Sequence, residues 1–296
     1  MKRLGWLCCM LLVACQPQEA DYQPVLGRRS PVARTELVVG IHPLHNPRRL
    51  LERYGPIIAY INRSMPEVQL RLEASRNYDE YDRKLYSRRF DFAMPNPYET
   101  VLSLKNGYRV FGKIQGDGIF RGIILVRKDG GIRQPTDLKG KKVAYPAPSA
   151  LAATMMPQYF LQTHGVDVQH DITNLYVGSQ ESSILNVLRG FTAAGATWPV
   201  PWQAFQQEHP DQAAQLLLKW QTDTLPGVGW VVRDDVAPAL AQKFAAALFS
   251  LQHSEEGRRL LAALPLAGFE SASDKTYLPV QEFLAQFART VRPIEQ

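Results

Sequence analysis

A two-lobed α/β protein, each lobe a mostly parallel sheet covered by helices, is the fold class the sequence predicts, and three observations carry it. From Glu36 onward, short β-branched runs alternate with helical stretches. A polar break, Lys128-Asp129-Gly130-Gly131, divides two such series. The chain is 45% hydrophobic, and all three of its cysteines lie in the first fifteen residues, so the body must stand on its core without disulfides. One long doubly wound sheet is the alternative reading of the same element order.

The elements follow in order. Lys2 and Arg3 precede an apolar run from Leu4 to Val13 that closes on Leu12-Val13-Ala14-Cys15. The run is too short for a stable span of a hydrocarbon core ~30 Å thick, and it reads as a secretory leader with a lipoprotein cleavage box. Cys15 is therefore the expected lipidation site, with acyl chains enough for stable anchoring. Gln16, where an aspartate would favour retention in the inner membrane, points to the outer membrane. Residues 16–34 hold three prolines, few large apolar groups and no periodicity, which marks a flexible tether.

The first lobe is expected over 35–127 and 222–296. It opens with a strand from Glu36 to Ile41, a helix from Arg48 to Met65 and a strand from Val68 to Glu73. A helix from Tyr78 to Arg88, a strand from Phe90 to Met94, a helix from Pro97 to Lys105 and strands at Tyr108 to Ile114 and Arg121 to Arg127 follow. The second lobe, 128–221, is expected to hold strands at Lys142 to Tyr145, Thr173 to Val177, Ala193 to Thr197 and Gln215 to Lys219. Its helices run from Ala150 to His164, Ser182 to Arg189 and Trp202 to Glu208. A strand from Val228 to Val232 then returns to the first lobe, and helices at Pro238 to Leu251, Glu255 to Leu264 and Pro279 to Arg289 complete it.

Several function classes drop out. The formal charge of +6 falls to +4 once Lys2 and Arg3 are removed, and the basic residues are scattered, so no nucleic-acid-binding face is expected. G-x-S-x-G, the phosphate-loop motif, H-E-x-x-H and C-x-x-C are absent from the mature chain, so no catalytic residue and no cofactor is predicted. His42 and His45 form an H-x-x-H pair, but two ligands do not make a tetrahedral metal site, and no metal is predicted. In open α/β sheets ligands collect at the carboxyl ends of the strands, where helix N-termini point. Those loops here contain His42, Asn77-Tyr78, Asn96-Pro97-Tyr98, Tyr145 to Ala150, Gly178 to Ser182, and Thr197-Trp198 to Trp202. A cleft walled by Tyr78, Tyr98, Tyr145, Trp198 and Trp202 is the outline of a small-molecule receptor.

Asn77-Tyr78, the run from Phe90 to Tyr98, Gly122 to Asp129, Asp137 to Ala144 and Gly178-Ser179 ahead of Ser183 to Gly190 together resemble the phosphate/phosphite/phosphonate-binding proteins of ABC importers. The similarity runs from about Glu36 to Phe249. It implies the type II periplasmic-binding-protein fold, with two lobes closing on a ligand cleft, and it matches Tyr78 and Tyr98 to the family's pocket tyrosines. The family's anion cradle is a D-P-x-S-T-S-G turn, and the matching turn here is Ala147-Pro148-Ser149-Ala150-Leu151-Ala152-Ala153. Its three hydroxyls are gone, Ser149 is the one left nearby, and Trp198 stands where an acidic residue is expected. The ligand set on this reading is Tyr78, Asn96, Tyr98, Ser149, Ala150, Thr197, Trp198 and His42.

The expected function is that of a lipid-anchored, periplasm-facing solute receptor, monomeric, that captures a small phosphonate-like or other organic anion for an ABC permease. The alternatives are a ligand sensor feeding a histidine kinase, a scaffold lipoprotein with a degenerate pocket, and an enzyme on the same fold using Asp91, Glu99 or His42. Contact with the membrane is expected only through the anchor.

Overall fold

The computed structural model describes residues 35–264 and 266–294. The predicted leader, Cys15 and the 16–34 tether lie outside the described residues. No helix among the described residues is long and apolar enough to cross a membrane.

The first sheet is built from β1 (Thr35–Ile41), β2 (Val68–Glu73), β3 (Phe92–Met94) and β4 (Tyr108–Ile114), with α1 (Pro47–Arg63), α2 (Tyr78–Tyr86) and α3 (Pro97–Leu104) between them. The chain then crosses to a second sheet. This holds β5 (Arg121–Arg127), β6 (Lys142–Tyr145), β7 (Thr173–Tyr176), β8 (Ala194–Thr197) and β9 (Leu216–Thr224). Its helices are α4 (Met156–Thr163), entered through a π turn at Leu151–Met155, then α5 (Gln180–Leu188), α6 (Pro199–Glu208) and the short α7 (Pro210–Ala213). The chain returns through β10 (Gly229–Arg233), α8 (Pro238–Ser250), α9 (Glu255–Ala262), β11 (Phe269–Ser271) and α10 (Leu278–Thr290). Spatial order is β11-β4-β10-β3-β1-β2 in one sheet and β7-β6-β8-β5-β9 in the other.

Two expectations need correction. β5 pairs with β8 and β9 in the second sheet, so the outward crossing lies between Ile114 and Arg121 and not after Arg127. The return lies between Thr224 and Gly229. The sheets are also mixed where mostly parallel ones were expected: β1 runs parallel to β2 and β3, but β10 is antiparallel to both β3 and β4, and β5 is antiparallel to both its neighbours. The reason is the crossing itself. Strands joined by helical crossovers within a sheet share one direction, whereas β5 and β10 arrive from the other sheet and insert against them.

The core under the first sheet is aromatic. Phe92 stacks on Phe244 with centroids 4.2 Å apart, and Trp230, fully buried, tilts against the same ring at 5.4 Å. Asp91, 6% exposed, anchors this floor: one carboxylate oxygen accepts from the Val38 N–H at 2.6 Å, and the other pairs with Arg233 of β10 at 2.8 Å. A buried carboxylate tolerates such a position only when both oxygens are satisfied. One glycine is dictated by close approach: a Cβ on Gly122 of β5 would lie 2.5 Å from the Ala152 carbonyl, so only glycine lets the π turn rest on the strand. That contact sets the turn against the cleft described next.

Candidate functional site

The cleft lies between the two sheets, at strand ends, and both sheets line it. His42 follows β1, Tyr78 opens α2 and Asn96 caps α3. From the other side come Phe120, the segment Ala150 to Ala153, Gln180 at the start of α5, and Trp198 after β8. The lobes are closed down to a cavity of about 10 Å³, room for roughly one water.

Gln180 is the central polar group. It is 2% exposed, its amide nitrogen donates to the Tyr78 hydroxyl at 3.2 Å, and its amide oxygen accepts from the Thr197 hydroxyl at 2.8 Å. One side chain thus ties the two lobes across the cleft. Burial pushes the Tyr78 phenol well above its usual range, so Tyr78 remains a hydroxyl donor. Opposite it, the N–H groups of Leu151, Ala152 and Ala153 precede the first hydrogen bonds of the helical run, which Thr154 and Met155 make to the Ala150 carbonyl. Groups at that position have no acceptor within the helix and attract negative charge.

His42 is 2% exposed and meets Tyr78 and Tyr81 edge-on, with centroids at 6.2 and 6.4 Å. Its Nδ1 lies 2.9 Å from the Met94 carbonyl, which can only accept, so Nδ1 carries the hydrogen and Nε2 the lone pair. Burial pushes its pKa down to about 4, against the raising effect of the Met94 hydrogen bond, so the ring is neutral at pH 7.

Beside the cleft lies a second cavity of about 380 Å³, lined by residues that include Asp82, Tyr86, Tyr98, Ser149 and Arg292. Here Ser149 donates to Asp82 at 3.2 Å, and its carbonyl accepts from the Asn96 amide at 3.1 Å, two further ties between the lobes. Behind Asp82 sits Glu99, fully buried, with one oxygen accepting from the Asn96 N–H at 2.8 Å. The remaining oxygens, Asp82 Oδ1 and Glu99 Oε1, meet no other donor, so the pair is joined by a proton that Glu99 carries. Burial first, then the Asp82 charge, holds Glu99 well above the usual carboxylate range. Asp82 rises to about 6 through burial, with the hydrogen bonds from Glu99 and Ser149 opposing.

On the other flank, Arg49 of α1 reaches Glu181 at 3.4 Å, and both Arg49 and Arg53 pair with Glu208. Arg292, after α10, donates to the Pro148 carbonyl at 2.9 Å. Each such partly exposed contact contributes little singly, but together they bracket the cleft on both sides.

Of the residues expected from the sequence, His42, Tyr78, Asn96, Ala150 and Trp198 line the cleft. Thr197 supports it through Gln180. Tyr98 and Ser149 line the neighbouring cavity, and the one remaining hydroxyl of the turn is spent on Asp82. Of the five expected aromatic walls only Tyr78 and Trp198 line the cleft; Tyr145 is buried against Tyr176, and Trp202 stacks on Phe205 in the second lobe's own core. Gln180 belonged to the loop inventory, but nothing in the sequence singled it out.

Asn96 is the positional hinge of this site. Its side chain accepts from the N–H groups of Tyr98 and Glu99 in a capping box while its amide holds Ser149. Asn96→Ala is expected to cost about 1–2 kcal/mol of stability by loss of the cap, read as a shift in the urea midpoint; a change below a few tenths would show that the cap is dispensable.

The model of a family described as ABC transporter, phosphonate, periplasmic substrate-binding protein matches residues 39–277. A probable ABC transporter phosphite binding protein, PhnD1, of Prochlorococcus marinus (strain MIT 9301) is 23% identical over 179 residues, 56% of this chain. The match spans 60% of that relative's length. The crystal structure of a binding protein component of an ABC phosphonate transporter from Pseudomonas aeruginosa superposes with a TM-score of 0.80 at 17% identity, covering 87% of this chain and 88% of the other. PhnD1 of Prochlorococcus marinus in complex with methylphosphonate gives 0.79 at 19% identity, covering 86% and 99%. At such identities the superpositions speak for the fold.

Proposed function

This chain belongs to the phosphonate family of periplasmic substrate-binding proteins of ABC transporters, and from that premise we propose that it is a solute receptor that closes its two lobes on a small oxyanion and delivers it to a permease. Its fold is that of the type II periplasmic binding proteins. The observation that carries the reading is the Tyr78–Gln180–Thr197 chain: a buried polar bridge whose two ends belong to different lobes, beside the cleft-lining residues Leu151 to Ala153, whose amides precede the first hydrogen bonds of the helical run. A ligand oxygen seated there engages the Tyr78 hydroxyl and the amides of Leu151 to Ala153 at once, which favours the closed form because the open form cannot offer both sets. The ligand is phosphonate-like in charge and size, held by backbone amides where Ala150, Ala152 and Ala153 supply methyl groups and no hydroxyls.

In this reading the receptor is exported and held at the membrane through a lipidated Cys15, with residues 16–34 as its tether. The permease would take the closed form; binding and closure are its whole chemistry, with no reaction in the cleft.

The test is a thermal-shift and calorimetric series with methylphosphonate, phosphite, phosphate, methanesulfonate and acetate. A ligand present at 100 times its Kd should add about 2.7 kcal/mol of stability. Gln180→Leu removes the bridge and is expected to weaken any such ligand about tenfold, the loss of one net hydrogen bond near 1.4 kcal/mol. Unchanged affinity in that variant would remove the cleft from the assignment.

A further inference from the structure

We propose that the cleft selects the singly protonated form of an oxyacid, with His42 Nε2 accepting the ligand's O–H while its ionised oxygen sits on the amides of Leu151, Ala152 and Ala153. This rests on the receptor reading above and goes further by naming the protonation state and the residue that reads it.

His42 is a buried residue with one ring nitrogen left open. His42 lines the cleft, is 2% exposed, and spends Nδ1 on the Met94 carbonyl. Its Nε2 has no hydrogen-bond partner among the described residues. A ligand that presents a hydrogen there makes a bond that the fold leaves open. The groups facing His42 leave that lone pair in place. Tyr78 and Tyr81 of α2 are phenols held neutral by burial. His45, from the same loop, has a pKa pushed down to about 4. Asn96 and Gln180 are uncharged amides. Among the described residues, no lysine, arginine, aspartate or glutamate lines the cleft.

Charge favours the same form. The amides at the start of the helical run act as about half a positive charge, and among the described residues no lysine or arginine lines the cleft to offset a second negative charge. A dianion would also turn an ionised oxygen toward the Nε2 lone pair. A monoanion that keeps one hydrogen meets the amides with its charge and His42 with its proton. A sulfonate of the same shape, ionised but with no hydrogen to give, meets only half the site.

The experiment is calorimetric titration of the full-length protein in detergent with methylphosphonate and with methanesulfonate from pH 5.5 to 9. Expected is methylphosphonate binding that weakens about tenfold per pH unit above the ligand's second ionisation, with methanesulfonate at least tenfold weaker than the low-pH phosphonate throughout. His42→Leu should erase the preference and flatten the profile. His42→Gln, whose amide restores an acceptor, should keep it. Equal, pH-independent binding of both ligands would overturn the inference and leave the receptor reading standing. Failure of methylphosphonate, phosphite, phosphate and methanesulfonate alike to bind at any pH would overturn the oxyanion receptor itself, and the inference with it.

Discussion

The stability gap between wild-type protein and His42→Leu is expected to change by roughly 3 kcal/mol between pH 7 and pH 4, against the wild type. His42 is neutral in the folded state down to about pH 4, because burial outweighs the bond to Met94, whereas an exposed histidine takes its proton near 6.5. Between those values the unfolded chain binds more protons than the folded one, so stability falls as the pH falls and levels off below about 4. His45 acts in the same direction: burial first and then the charges of Arg49, Arg53 and His42 push it down to about 4. It is only partly buried, so its share is smaller. Against a total stability on the order of 5–15 kcal/mol, one buried histidine is a large lever. Urea unfolding of both proteins at each pH reads the gap directly. A gap that stays constant across the window would show that His42 is not neutral in the fold, and would remove the lone pair on which its role in ligand selection depends.

Much of this architecture was legible in the sequence, for reasons that also explain what was not. β-branched runs such as Leu37-Val38-Val39 and Ile123-Ile124-Leu125-Val126 announce strands because their side chains are buried on a sheet, yet a buried strand looks alike in either sheet and either direction. That is why β5 was placed with the wrong lobe and the antiparallel insertions went unread. β11, three residues long at Phe269–Ser271, is too short to show a period at all. Loops that follow strands meet at one place because strand ends converge, which brings His42, Tyr78, Asn96, Ala150 and Trp198 to the same cleft. Tyr98 lies two residues beyond Asn96, inside α3, and so lines the adjoining cavity. Gln180 was invisible for a different reason. Its role depends on Tyr78 and Thr197, far from it in sequence and brought to its two ends only when the lobes meet.

Asp82→Asn is expected to gain on the wild type as the pH rises, by roughly 2–3 kcal/mol between pH 3.5 and pH 7. The sign is opposite to that of His42. The Asp82 carboxyl titrates near 6 in the fold against an ordinary 3.8, so the folded state holds a proton that the unfolded state has released. The stability is therefore present below about 4 and is lost as the pH climbs toward 6. Glu99, fully buried beside it and held higher still, extends the loss in the same direction. An asparagine at 82 can accept from Ser149 through its oxygen and donate to Glu99 through its nitrogen, so the variant removes a charge without stranding either neighbour. Glu99→Gln offers the mirror experiment, with the amide oxygen on the Asn96 N–H and the amide nitrogen on Asp82. Both variants should be close to wild type at pH 3.5 and more stable than it at pH 7. If either instead loses stability as the pH rises, the carboxyls are not sharing a proton. The pair sits directly behind Ser149, the contact by which the second lobe closes on the first. An ionised Asp82 is the better acceptor for the Ser149 hydroxyl, so the lost stability falls within the first lobe, and small-angle scattering of wild type and Asp82→Asn should show the same lobe closure at pH 3.5 and pH 7.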